Sequence, residues 1–117
     1  MANPNVVKAV LGAKKQKISP ALYFSRAEIP FCRPTLSPEQ KINQFNYFRH
    51  IGIYAFGVAT LRQLVDLTLS ELEQVEMLEQ LSWLYNGFSV GAIATEFSHL
   101  SIDTAEDLAA AQAQFNF

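Results

Sequence analysis

Two histidines, one cysteine and five scattered glycines leave this sequence without the parts from which most recognisable sites are assembled. The lone Cys32 excludes an internal disulfide and any zinc site built on paired thiolates, and it fits a reducing compartment. No two glycines lie within three residues of each other. That removes both the G-x-G-x-x-G turn and the P-loop, whose backbone amides cradle phosphates. No apolar run approaches the ~20 residues that span a bilayer, and residues 1–11 lack the apolar core and cleavage site of a secretory leader. The expectation is a soluble, cytoplasmic protein with no membrane insertion. A formal net charge of −2 gives no electrostatic reason to expect nucleic acid. Ser-His-Asp order, a Cys–His pair and paired metal-binding histidines are missing too.

What is present is a core. Half of the 117 residues are hydrophobic and only 17% are charged, which argues against disorder. That length suits one domain, which buries roughly two-thirds of the surface its unfolded chain exposes. Nine Phe, four Tyr and one Trp are many rings for so short a chain, so some are expected to meet a partner surface. Lys8, Lys14, Lys15 and Lys17 cluster near the start. A solvated hairpin tip explains them, with phosphate binding as the other reading.

Hydrophobic patterning yields an α/β chain. Residues 6–11 and 21–26 read as strands joined by a polar nine-residue connection, a long-looped antiparallel hairpin. Residues 30–46, with three prolines and little periodicity, read as an irregular excursion. Residues 48–56 have strand character, and 61–67 form a short helix. Ser70 and Glu73 have capping-box spacing, opening a helix that runs to Asn86, where Gly87 supplies the left-handed stop. Residues 89–95 make a further sheet element. Thr104 caps a last helix, with Glu106 and Asp107 favoured by its dipole. The expected order is β-β-β-α-α-β-α.

Several positions bear on chemistry, each with a plainer explanation. His50, Gly52 and Tyr54 alternate on one strand face, presenting imidazole, bare backbone and phenol to a polyhydroxylated ligand, although a lone strand histidine also serves structure. Arg26 ends the second strand. Its guanidinium suits a ligand carboxylate, or a surface ion pair with Glu28. Glu76 and Glu79 share a helix stripe with Leu72, Val75 and Trp83, so either apolar neighbours perturb a carboxylate there or both face water. Gln80 is turned roughly 100° from Glu79. Asp103 stands before the last helix, where capping alone explains it. A hard cation is the other reading, and no second carboxylate stands near it in sequence.

Five runs together resemble the 3-deoxy-manno-octulosonate (KDO) cytidylyltransferase family, the CMP-KDO synthetases of lipopolysaccharide biosynthesis. They are Asn3-Pro4-Asn5-Val6-Val7-Lys8, Ala21-Leu22-Tyr23-Phe24-Ser25-Arg26, Arg49-His50-Ile51-Gly52-Ile53-Tyr54, the helix carrying Leu72-Glu73 and Glu76-Met77-Leu78-Glu79-Gln80-Leu81, and Ile102-Asp103-Thr104 with Glu106-Asp107-Leu108. The resemblance implies the C-terminal portion of a nucleotide-diphospho-sugar-transferase-like mixed-sheet fold, so that residues 1–117 form a single partial domain. It implies transfer of a cytidylyl group from CTP to the acidic sugar KDO, with release of pyrophosphate. Arg26, His50, Tyr54, Glu79 and Gln80 would lie at the sugar site, and Asp103 would be one of two aspartates holding Mg2+, its second ligand absent from this chain.

The departures from that family matter equally. The CTP-binding half with its phosphate loop is missing, Gly57 and Ser82 stand where the family has Arg, Phe31 replaces a Trp, and His99-Leu100-Ser101 replaces a glycine-rich approach to Asp103. The expectation is a sugar-binding and dimerising half, inactive alone, that reaches CTP only with the missing half and acts as a homodimer or with a complementing chain. The rival expectation is a non-catalytic binding or oligomerisation module derived from that family.

Overall fold

A computed structural model describes residues 3–96, 102 and 105–115. Among the described residues four strands, β1 (Lys8–Leu11), β2 (Ser19–Ser25), β3 (Phe48–Arg49) and β4 (Gly91–Ala92), form one antiparallel sheet in the order β3-β1-β2-β4. Within the same described residues five helices accompany it: α1 (Pro38–Gln44), α2 (Val58–Val65), α3 (Glu71–Glu76), α4 (Gln80–Tyr85) and α5 (Ala105–Phe115). The α/β class holds. The order found is β-β-α-β-α-α-α-β-α, so the expected sequence of elements gains one helix and has another divided.

The β1–β2 hairpin is the centre of the molecule. Lys8 lies opposite Ser25 and Val10 opposite Tyr23, and the register slips between Val10 and Leu11. Its tip closes through Lys15 and Ile18, with Gln16 in the left-handed region at φ 58°. The register slip, which leaves Leu22 unpaired, brings Ala21 to the same side as Ala9 and Phe24, where α4 packs Leu81 and the preceding Leu78 upon them. Leu81 is wholly buried. Lys8 parts company with the hairpin lysines. It is buried, and its ammonium donates to the carbonyls of Asn3 (3.0 Å), Val6 (2.6 Å) and Arg26 (2.5 Å), tying the first turn to the end of β2. Burial holds its pKa below the usual lysine range.

Three expectations change. Residues 30–46 contain α1, opened by a complete capping box: Gln40 N–H donates to Ser37 Oγ (3.2 Å) and Ser37 N–H to Gln40 Oε1 (2.8 Å). None of its residues is buried, so it has no apolar stripe to betray it. The strand expected over 48–56 stops at Arg49, because Ile53 N–H donates to Ile51 C=O (2.8 Å) in a three-residue turn around Gly52. The helix expected from Ser70 to Asn86 is two helices, broken at Met77, whose backbone is left-handed at φ 55°.

Candidate functional site

The break at Met77 is made by β2. Leu78 N–H reaches back to Glu73 C=O (3.3 Å), a left-handed helix ending of the kind glycine usually provides. A non-glycine residue there costs roughly 1–2 kcal/mol, and Arg26 supplies the compensation. Its guanidinium donates to the carbonyls of Glu76 (Nε, 2.8 Å), Met77 (3.3 Å) and Pro4 (3.1 Å). The Glu76 carboxylate completes the corner, accepting from Ser25 Oγ (2.5 Å) and Arg26 N–H (2.9 Å). A cation placed on carbonyls at a helix C-terminus also complements the helix dipole. Arg26 therefore does not pair with Glu28, which instead binds Lys41 at 2.6 Å.

The same corner sets the next helix. Ser70 Oγ accepts from Glu73 N–H (3.2 Å), half of the expected box. The other half is replaced, because Ser70 N–H donates to Ser82 Oγ (2.9 Å) and Ser82 Oγ donates to Ser70 Oγ (3.0 Å). Both serines are buried, so α3 and α4 are bolted together at the position where resemblance led one to expect Arg. Gly87 (φ 84°) ends α4 as expected, with Phe88 N–H on Trp83 C=O and Gly87 N–H on Leu84 C=O, both at 3.0 Å.

α4 thereby delivers Trp83 to the wall of a cavity of about 1080 Å³, also lined by Phe24, His50, Tyr54, Phe56 and Thr60. The turn at Gly52 brings His50 and Tyr54 together, with Tyr54 Oη 2.8 Å from His50 Nε2. Whichever tautomer the imidazole takes, one proton lies between them. Around the pair stand rings in edge contact. The centroids of Phe24 and His50 are 5.0 Å apart, those of Tyr54 and Trp83 also 5.0 Å, and those of Phe56 and Trp83 5.3 Å. Burial pushes the His50 pKa below its ordinary value. Burial, and then the charge of Glu79, push Tyr54 up to about 12. Both groups are neutral at neutral pH, and they present a polar but uncharged patch on an aromatic wall.

The remaining positions divide. Glu79 is exposed at the start of α4, near enough to act on Tyr54 through its charge. Gln80 is 5% exposed, and its Nε2 has no hydrogen-bond partner among the described residues. An orphaned buried amide is uncommon and asks for an acceptor. Asp103 lies outside the described residues. Among the described residues no three His, Cys, Asp or Glu stand together in a way that could hold a metal. Glu76, left undecided in the sequence beside Glu79, is the carboxylate the fold uses. Its helix stripe gave no signal for that choice, since the partner is on β2.

The cytidylyltransferase family model matches residues 1–102. The 3-deoxy-manno-octulosonate cytidylyltransferase of Francisella tularensis subsp. tularensis is 44% identical over 115 residues, covering 97% of this chain and 44% of that protein. Those of Thermodesulfovibrio yellowstonii (44% identity, 97% of this chain and 43% of the relative) and Pseudoalteromonas translucida (45%, 92% and 42%) are similar to the same extent. A solved structure of CMP:2-keto-3-deoxy-manno-octonic acid synthetase complexed with CTP superposes with a TM-score of 0.82 at 30% identity, covering 98% of this chain and 43% of that one. The chain thus spans less than half the length of the relatives it matches.

Proposed function

This chain belongs to the cytidylyltransferase family, and from that premise we propose that it is the sugar-acid-binding part of a CMP-KDO synthetase, the enzyme type that joins CTP and KDO with loss of pyrophosphate. The observation that carries the reading is the neutral His50–Tyr54 pair, 2.8 Å apart on the aromatic cavity wall. Sugar hydroxyls both donate and accept, and their C–H faces pack on rings, so an uncharged hydrogen-bonding pair among rings suits them. Gln80 supports the reading with a buried amide that lacks an acceptor among the described residues. Glu79 supplies an exposed carboxylate beside the phenol. Arg26 holds the corner from which α4 departs, and its remaining N–H groups are what it offers a ligand carboxylate.

CTP belongs to this reading only together with the part of the fold the chain does not span, since no glycine-rich phosphate loop is present in the sequence. Asp103, outside the described residues, would be one ligand of the magnesium ion that this reading calls for. The exposed apolar side chains, Phe31, Val75 and Ile53 among them, fit an assembly of copies or of complementary chains. The free thiol of Cys32 fits a reducing, cytoplasmic setting, and among the described residues no helix is long and apolar enough to cross a membrane. A second reading is a non-catalytic binding or oligomerisation module derived from the same family, for which the exposed apolar side chains speak.

Calorimetric titration of the 117-residue chain with KDO separates the two readings. Saturable binding, weakened at least tenfold by His50→Ala and by Glu79→Ala with the thermal melt retained, is the expected result. Assembly without any sugar binding would leave the module reading in its place. The chain alone is expected to form no CMP-KDO from CTP, and turnover by the pure chain would overturn that part of the proposal.

A further inference from the structure

The lysines at the hairpin tip take no part in the sugar-acid reading. Lys14, Lys15 and Lys17 fall within four consecutive positions, all exposed, on a chain whose formal net charge is −2. None of their ammonium groups has a hydrogen bond or ion pair among the described residues. Like charges this close repel one another, and a bound anion offsets that repulsion. The tip that carries them is a defined two-residue turn. Lys15 N–H donates to Ile18 C=O (2.8 Å) and Ile18 N–H to Lys15 C=O (3.1 Å), with Gln16 left-handed between them.

A cavity of about 700 Å³ borders this tip and sets it apart from an ordinary solvated turn. Lys14 and Lys17 line it together with Ser19 and Asn46, and among the described residues no Asp or Glu does. The Ser19 hydroxyl and the Asn46 amide have no hydrogen bond there either, so two neutral donors stand unspent beside two ammonium groups. Lys15 lies between the two lysines in sequence and does not line the cavity. Leu11, Phe48 and Ile93 give the same cavity an apolar side. Its volume is within the ~300–1000 Å³ that holds a small organic ligand, well beyond what a bare phosphate ion fills.

We propose that this cavity binds a phosphate monoester, its phosphate on Lys14, Lys17, Ser19 and Asn46 and its organic body against Leu11, Phe48 and Ile93. A monoester phosphate carries nearly two negative charges at neutral pH and three strong acceptor oxygens, which match two ammonium groups and two neutral donors better than a single carboxylate does. Neither His50 nor Tyr54 lines this cavity, so the inference stands independently of the sugar-acid reading. The phosphate can arrive on a soluble molecule or on the headgroup of phosphatidic acid, since both present the same group.

Calorimetric titration of the 117-residue chain with phenyl phosphate, whose ring stands for the organic body, tests the site. Saturable one-to-one binding is expected, at least fivefold tighter than for inorganic phosphate. Lys14→Ala and Lys17→Ala should each weaken it at least fivefold, with circular dichroism unchanged because both side chains are exposed. Lys15→Ala, on the same tip but off the cavity, should bind within twofold of the parent. An equal loss in all three variants would mean diffuse attraction to a basic tip and would overturn the proposal, as would equal affinity for inorganic phosphate. Sedimentation with vesicles of phosphatidylcholine, with and without phosphatidic acid, separates the sources. Retention that needs phosphatidic acid, Lys14 and Lys17 but not Lys15 assigns the site to a lipid headgroup, and phenyl phosphate binding without retention assigns it to a soluble ester. Binding in neither format sinks the inference. Saturating KDO should leave phenyl phosphate bound, and its displacement would place the anion in the sugar-acid site and remove the case for a second one.

Discussion

The corner where β2 meets α3 and the ring-lined wall of the cavity use their polar groups in opposite ways. In the corner, Ser25, Arg26 and Glu76 bind one another and the carbonyls of Pro4, Glu76 and Met77. The charges there close on the chain itself, and their work is to turn it. On the wall, His50 and Tyr54 have each other, rings and open space, while Gln80, on the helix that carries Trp83, leaves an amide unanswered among the described residues. A charged cluster satisfied internally accounts for a fold. An uncharged pair beside a hollow is what a ligand completes. Charge is thus a poor guide to the site in this molecule, and unspent hydrogen-bonding capacity is a better one.

If that contrast is right, stability and binding should separate by region. Glu76→Ala leaves the Ser25 hydroxyl and the Arg26 amide without their acceptor and loosens the corner. The expected destabilisation is about 2–4 kcal/mol, read from the urea midpoint. Tyr54→Phe removes one hydroxyl and should cost only about 1 kcal/mol while reducing KDO affinity at least tenfold. A Tyr54 variant that destabilises more than the Glu76 variant, or a Glu76 variant that folds as well as the parent, would break the comparison.

How much of this the sequence disclosed depends on where each cause lies. The hairpin, the start at Ser70 and the stop at Gly87 have local causes and were legible from the residues themselves. α1 also has a local cause, the Ser37-Pro38-Glu39-Gln40 box with proline in the first turn, but a helix that buries nothing shows no stripe. The break at Met77 has no local cause. No glycine marks it, and it is imposed by Arg26 from about fifty residues away. The choice between Glu76 and Glu79 was hidden for the same reason. His50 and Tyr54 were legible as partners on one face, yet a turn at Gly52 rather than a continuing strand joins them. Asp103 lies outside the described residues, so its part in the resemblance remains a proposal.

The wall also makes a pH prediction that the corner does not share. His50 has its pKa lowered by burial, so between that value and its ordinary 6.5 the unfolded chain binds more protons and stability falls as pH drops. Tyr54 is raised from 10 to about 12, so between those values the folded chain holds the extra proton and stability falls as pH rises. The contributions of these two groups are therefore fully present between about pH 7 and 10 and are lost on either side. In Tyr54→Phe the alkaline loss over that window should shrink, and urea midpoints measured across the range would show it. An undiminished alkaline loss in that variant would mean that another group carries it.

The smallest expected effect tests whether the corner stores strain. Met77 occupies a left-handed conformation that disfavours any side chain by roughly 1–2 kcal/mol. Its own side chain is largely exposed, so little burial is lost on removing it. Glycine relieves the strain but returns roughly 0.5–1 kcal/mol through the greater freedom of the unfolded chain. Met77→Gly should thus stabilise the protein by about 0.5 kcal/mol, a rise of about 2 °C in Tm. Combined with Arg26→Ala, the gain should shrink, because without the guanidinium the chain is free to leave the left-handed conformation and less strain remains for glycine to relieve. Equal gains in both backgrounds would mean that Arg26 merely rests against a turn the chain makes unaided, and the corner would lose its claim to be what bends α3 away from α4.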